Sequence, residues 1–173
     1  MAEGIRTTLR QAASWLGVEC GAADLEFAGV STDTRRIGPG ELFVALRGPR
    51  HDGHEHVQEA ARGGAVAALV ERPLPVDLPQ LVVADTRLAL GELAGAWRGA
   101  CNAKVVAVTG SNGKTTVKEM IAAILTTLGP TLATRGNLNN DIGVPLTLLR
   151  LEPTHRYAVV EMGANHPGEI AYL

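Results

Sequence analysis

Val105-Val-Ala-Val-Thr-Gly-Ser-Asn-Gly-Lys-Thr-Thr116 carries three signals in succession. Val105 to Val108 is a short, apolar, β-branched run, which predicts a buried strand of a parallel sheet. Gly110 and Gly113 supply a tight turn whose backbone can approach a ligand closely. Behind the turn, Val117, Met120, Ile121, Ile124, Leu125 and Leu128 recur at the spacing of one face of an amphipathic helix. A strand, a glycine loop and a helix N-terminus in this order make an anion site, because the first helical N–H groups and the positive end of the helix dipole point at a phosphate. The loop residues Gly110, Ser111, Asn112, Gly113, Lys114, Thr115 and Thr116 are therefore the candidate ATP-binding set. Lys114 can reach the β- and γ-phosphates, and the Thr115 hydroxyl can ligate Mg²⁺.

The loop departs from the standard P-loop, which carries a glycine five residues before the second one; that position here is Val108. The strand before the loop and the helix after it still meet the structural context that the motif requires.

The 173 residues allow one domain or two small ones. A hydrophobic content of 46% supports a true core. Aromatic residues make up only 3%, so stacking platforms for single-stranded nucleic acid are few. With 16 Lys and Arg against 18 Asp and Glu the net charge is −2, which gives no general attraction to polyanions. An anionic ligand must then be held locally, by Lys114 or by the neighbourhoods of Arg35, Arg36, Arg47 and Arg50. Cys20 and Cys101 stand apart, at no metal-ligand spacing. No run approaches the ~18 apolar residues of a membrane span, and no leader-type apolar core opens the chain. A cytoplasmic location, with neither membrane nor nucleic acid as partner, is expected.

Upstream, Leu9, Ala12, Ala13 and Leu16 share a helical face, with Thr7 or Thr8 as N-cap and Gly17 as stop. Phe27–Thr32, Leu42–Leu46, Ala65–Val70 and Leu81–Val83 read as strands, and His54–Arg62 as a helix stopped by Gly63-Gly64. Asp85 caps a helix running to about Arg98. Pro73, Pro75 and Pro79 precede it, so a domain boundary is placed near Ala84, giving 1–84 and 85–173. Further on come a short strand Thr131–Thr134, an amide-rich loop 135–141, a helix opened by Pro145, a strand Tyr157–Val160 ending in Glu161, and a helix start at Pro167-Gly168.

Glu161, at the carboxyl end of a buried strand beside a phosphate loop, can hold Mg²⁺ or its waters. Asn137, Asn139 and Asn140 are ordinary turn residues that could also bind a polar ligand. By spacing alone Asp33 and Arg35 read as a solvated ion pair in a turn, ahead of the alternative of an Arg gripping a phosphate bidentately. His51, His54 and His56 fit no zinc spacing.

Taken together, three stretches resemble the Mur ligases, the ATP-dependent amide-forming enzymes of cell-wall precursor synthesis: Thr109–Thr116, Asn137–Pro145 and Glu161–Ile170. The last two are most similar to the branch that adds D-alanyl-D-alanine to UDP-N-acetylmuramoyl-tripeptide. Ser31–Arg35, Pro39–Leu46 and Asp52-Gly-His54 resemble the family's uridine-nucleotide domain. The fold so implied is α/β: a small UDP-substrate domain, then a truncated doubly wound parallel-sheet ATPase domain. The implied enzyme is an ATP- and Mg²⁺-dependent ligase working through an acyl phosphate, a monomer when whole, of which this chain is an inactive amino-terminal part. Lys114 and Glu161 would be catalytic, Thr115 and Glu161 would hold the metal, and Ser31, Thr32, Asp33, Arg35, Asn139 and Asn140 would contact substrate. The family's second-metal ligands would lie beyond Leu173, and its pattern would have aromatic residues at His51 and His56. A sister amino-acid ligase, folylpolyglutamate synthase and a non-catalytic nucleotide-binding remnant stay open as alternatives.

Overall fold

The computed structural model describes residues 4–21, 25–49, 51–164 and 169. Arg50 and the helix expected at Pro167-Gly168 lie outside these residues. The chain forms two compact units, Met1–Leu93 and Ala94–Leu173.

In the first unit, β1 (Arg6–Thr8) runs into α1 (Leu9–Leu16), which the Thr8 hydroxyl caps by accepting the Gln11 N–H at 3.2 Å. β1 pairs antiparallel with β2 (Glu26–Ala28). The single strand expected from Phe27 to Thr32 is broken at Gly29, whose φ of 88° turns the chain out of this ribbon. It continues as β3 (Val30–Ser31) in a parallel four-stranded sheet ordered β3-β4-β5-β6, with β4 at Leu42–Val44, β5 at Ala67–Val70 and β6 at Gln80–Val82. Every residue of β4 and β5 is buried, as expected for inner parallel strands. A 3-10 turn, Gly53–His56, leads into α2 (Val57–Arg62). Val57 and Ala60 pack with Phe43, Ala68 and Val70 into one core. The proline segment is held by Gln80, whose side chain accepts from Leu74 N and donates to Leu74 O, both at 2.9 Å.

Asp85 caps α3 (Thr86–Ala100), taking the N–H groups of Arg87 and Leu88 at 2.8 and 3.0 Å. The division between the units falls inside this helix. No helix among the described residues is long and apolar enough to cross a membrane.

The second unit holds β7 (Lys104–Val108), α4 (Lys114–Thr126), β8 (Thr131–Ala133), α5 (Gly143–Leu148) and β9 (Tyr157–Glu161). The three strands are parallel in the order β7-β9-β8. The central, most buried strand is therefore β9, in which all but Tyr157 are buried, and not β7: among the described residues β7 has one partner, and only Val108 in it is buried. α4 follows its expected span but turns differently. Ile121, Ala122 and Leu125 pack on Val108, Val159 and Ala133, while Val117, Met120, Ile124 and Leu128 are exposed. The centre of the packed face is taken by Lys118, which is 1% exposed.

Candidate active site

The loop between β7 and α4 has the shape its glycines require. Gly110 sits at φ 146° and Gly113 at φ 74°, where a side chain would be strained. Gly113 is also the N-cap of α4, with no side chain to satisfy the helix start. Val117 N–H is the first to bond back, to Gly113 O at 3.0 Å. The N–H groups of Lys114, Thr115 and Thr116 precede it at the open end of the helix, where intrahelical acceptors run out. Lys114 Nζ folds back and donates to Gly110 O at 2.8 Å, which keeps its charge at the loop.

Glu161 ends β9 beside this loop and is 2% exposed. Its Oε2 accepts from the Thr115 hydroxyl at 3.0 Å, and its Oε1 from Asn139 Nδ2 at 2.8 Å. Its own N–H donates to the Thr134 hydroxyl at 2.9 Å. The two side chains singled out as metal ligands, Thr115 and Glu161, are thus neighbours although they lie 46 positions apart. A hydroxyl beside a carboxylate is a hard-oxygen donor set, which fits Mg²⁺ and not a soft metal.

The amide-rich loop splits in role. Asn139 reaches Glu161, and its backbone carbonyl accepts from Gly163 N. Asn140 does not point to the same place: its Oδ1 accepts from Ile142 N at 3.3 Å and Gly143 N at 2.8 Å, starting α5. Gly143 comes so close that a Cβ there would overlap the Leu138 backbone.

In the first unit a cleft of about 530 Å³ is lined by Thr32, Asp33, Arg35, Phe43, His56 and Glu59 among others. Thr32, Asp33 and Arg35 were singled out from the sequence. Ser31 lies one step back, its hydroxyl donating to Asp33 O at 3.1 Å and accepting from Asp33 N at 3.2 Å. Arg35 grips Asp33 with two bonds, Nε to Oδ1 at 2.9 Å and Nη2 to Oδ2 at 2.8 Å. That grip holds the Asp33 carboxyl down to about 2 and raises the Arg35 guanidinium. Phe43 lies in the stretch Pro39–Leu46 and His56 is weighed in the sequence as a metal ligand, while Glu59 carries no sequence signal; strand, turn and helix bring the three together only on folding.

His51 lines the cleft, whereas His54 is fully buried behind it. His54 Nε2 accepts the Glu71 N–H at 2.8 Å, so Nδ1 carries the proton and donates to Asp52 Oδ1 at 2.5 Å. Asp52 also takes the His54 backbone N–H at 3.0 Å, the main reason that its carboxyl falls to about 2.

Comparison with known proteins adds an independent line. Residues 26–98 match a model described as Mur ligase family, catalytic domain, and residues 108–173 match the Mur ligase middle domain. The UDP-N-acetylmuramoyl-tripeptide--D-alanyl-D-alanine ligase of Escherichia coli (strain K12) is 60% identical over 168 residues, 97% of this chain and 37% of that protein. The ligase of the same name from Haemophilus influenzae is 50% identical over 157 residues, 88% of this chain and 34% of that protein. Among solved structures, MurF from Acinetobacter baumannii superposes with a TM-score of 0.91 at 48% identity, over 99% of this chain and 39% of that one. MurF ligase from Thermotoga maritima in complex with ADP superposes with a TM-score of 0.75 at 36% identity, over 83% of this chain and 34% of that one. The chain thus spans a little over a third of the length of these relatives.

Proposed function

The chain belongs to the Mur ligase family, and on that premise we propose that it carries the two substrate-binding parts of an ATP-dependent amide ligase joining D-alanyl-D-alanine to UDP-N-acetylmuramoyl-tripeptide. The observation that carries this reading is the meeting of Thr115, Glu161 and Asn139 directly behind the phosphate loop. The names and identities of the relatives support the choice of substrates. Residues 1–84 are assigned to the uridine nucleotide and residues 85–173 to ATP. ATP as co-substrate and a cell-wall precursor as acceptor favour the cytoplasm, with a monomer as the working unit.

In this reading the γ-phosphoryl group of ATP passes to the terminal carboxylate of the tripeptide. The acyl phosphate is then attacked by the amine of D-alanyl-D-alanine, and phosphate leaves. Such transfers need positioning and charge neutralisation more than covalent help. The N–H groups of Lys114, Thr115 and Thr116, with the backbone of Gly110, Ser111, Asn112 and Gly113, cradle the phosphates. Lys114 exchanges the Gly110 carbonyl for phosphate oxygen and offsets the charge that grows there. Thr115 and Glu161 would hold Mg²⁺, which when bound supplies a compact dication against the phosphate oxygens. Asn139 keeps the Glu161 carboxylate aimed at the loop. In the cleft, Thr32, Asp33 and Arg35 receive the uridine diphosphate, with Arg35 exchanging one Asp33 contact for phosphate and Ser31 bracing the turn. Asn140 serves the ligand indirectly, by setting the start of α5 and the course of the loop that presents Asn139.

Calorimetry of the 173-residue chain tests this. MgADP and UDP should bind at independent sites, and Lys114→Ala should weaken MgADP by about 1.5–3 kcal/mol, the worth of a charged hydrogen bond, without touching UDP. Unchanged MgADP affinity in Lys114→Ala would refute the assignment.

A further inference from the structure

We propose that Lys118 is a positioning residue for Glu161, acting through Thr134; the inference rests on the nucleotide-site reading above. Lys118 sits where the packing of α4 calls for an apolar side chain. It shares the buried face with Ile121, Ala122 and Leu125, and is 1% exposed. Burying an ammonium is costly unless it is paired and hydrogen-bonded. Here Nζ pairs with Glu119 Oε1 at 2.7 Å and donates to Thr134 O at 2.8 Å. The Glu119 carboxylate stands at the surface, 65% exposed, so it supplies charge and leaves the inward contact to Thr134.

Thr134 is the node. It follows β8, is 2% exposed, and uses all three of its polar groups. Its N–H donates to Val159 O at 3.0 Å, its hydroxyl accepts the Glu161 N–H at 2.9 Å, and its carbonyl takes Lys118. On the other side of Glu161, the carboxylate accepts from Thr115, which lies three residues before Lys118 on the same helix. The contacts therefore close a ring: Thr115, Glu161, Thr134, Lys118 and back along α4. Glu161 is fixed through its backbone by one arm and through its carboxylate by the other. Lys118 is the member that ties the phosphate-binding helix to the end of β8, and it touches neither the loop nor the carboxylate itself. Mg²⁺ demands strict geometry from its oxygens, whereas backbone N–H groups hold a phosphate with more tolerance. Loosening the ring should therefore reduce the Mg²⁺-dependent part of nucleotide affinity and spare the rest.

The test uses the 173-residue chain with Lys118→Met, which keeps length and removes the ammonium. ADP affinity without Mg²⁺ should change less than about twofold, the gain in affinity on adding Mg²⁺ should drop about tenfold, and amide exchange at Glu161 should quicken about tenfold in the ligand-free protein. Thr134→Val, which removes only the hydroxyl that takes the Glu161 N–H, should reproduce the last two effects, and Thr134→Ser should keep both as in the unaltered chain. This pair tests the arm from Thr134 to Glu161, and Lys118→Gln, whose charge is gone, replaces Lys118→Met with the same expected outcome if that variant fails to fold. Equal losses with and without Mg²⁺, or unchanged exchange at Glu161 in folded Lys118→Met, would overturn the proposal. If the unaltered chain shows no Mg²⁺-dependent binding, the nucleotide-site reading fails instead. Exchange at Glu161 then still decides the role of Lys118: faster supports it, unchanged overturns it.

Discussion

Replacing Glu161 by Gln should leave the fold nearly as stable while disabling Mg²⁺-dependent nucleotide binding. Glu161 is 2% exposed, and each carboxylate oxygen accepts one hydrogen bond, from Asn139 at 2.8 Å and from Thr115 at 3.0 Å. Glutamine fills the same volume. Its oxygen can stay toward Asn139, and its amide can donate to the Thr115 hydroxyl, which rotates to accept. Two charge-assisted bonds of about 1.5–3 kcal/mol each become neutral ones of about 0.5–1.5 kcal/mol, a loss of about 2–3 kcal/mol at mid-range. Against this, a buried carboxylate no longer has to be stripped of water, a penalty of several kcal/mol. The terms nearly cancel, so the melting temperature should move by no more than about 4 °C, equivalent to about 1 kcal/mol in a domain of this size. In the proposed site, Mg²⁺ would lose a formal negative charge and a carboxylate oxygen. Removing an outer partner of a metal site typically costs 10–100-fold, so the Mg²⁺-dependent gain in ADP affinity should fall by at least about that much. Calorimetry with ADP, in excess Mg²⁺ and in chelator, gives both affinities. A Glu161→Gln protein whose two affinities keep the ratio of the unaltered chain would refute the role given to this carboxylate.

Two further outcomes follow from the packing and the charges. Gly143→Ala should lower thermal stability by about 1–3 kcal/mol, the usual cost of overpacking, because its Cβ would overlap the Leu138 backbone; a melting curve that matches the unaltered chain would contradict this. Asp52 titrates at about 2 when folded against an ordinary 3.8, so its contribution is present above about 4 and is lost as pH falls towards 2. Asp52→Asn should accordingly be less stable at neutral pH and flatten the acid limb of the stability profile over that interval, as followed by acid unfolding.

The strand–loop–helix unit from β7 to α4 was legible because its elements are consecutive: β-branched run, glycines, lysine, apolar helix. Glu161 was legible because a strand end beside such a loop is a natural place for a carboxylate. Asn140 carries a signature that could have been read, an Asn three residues before Gly143 at a helix start. The partner of Asn139 could not, because the contact depends on where α5 and β9 meet. Periodicity gave α4 its place but not its orientation. The apolar stripe is broader than the sheet it packs on, so Ile121 and Leu125 go inside while Met120 and Ile124 stay out. A lysine at the buried centre of that face is invisible to any hydrophobic pattern, because its value lies in the Thr134 carbonyl it meets.

The nucleotide-site reading stands or falls on an amide NMR titration of the 173-residue chain with MgADP. Shifts should appear together at Gly110, Ser111, Asn112, Gly113, Lys114, Thr115 and Thr116, and at Asn139 and Glu161. Shifts absent from these residues, or confined to the cleft around Asp33 and His56, would contradict it.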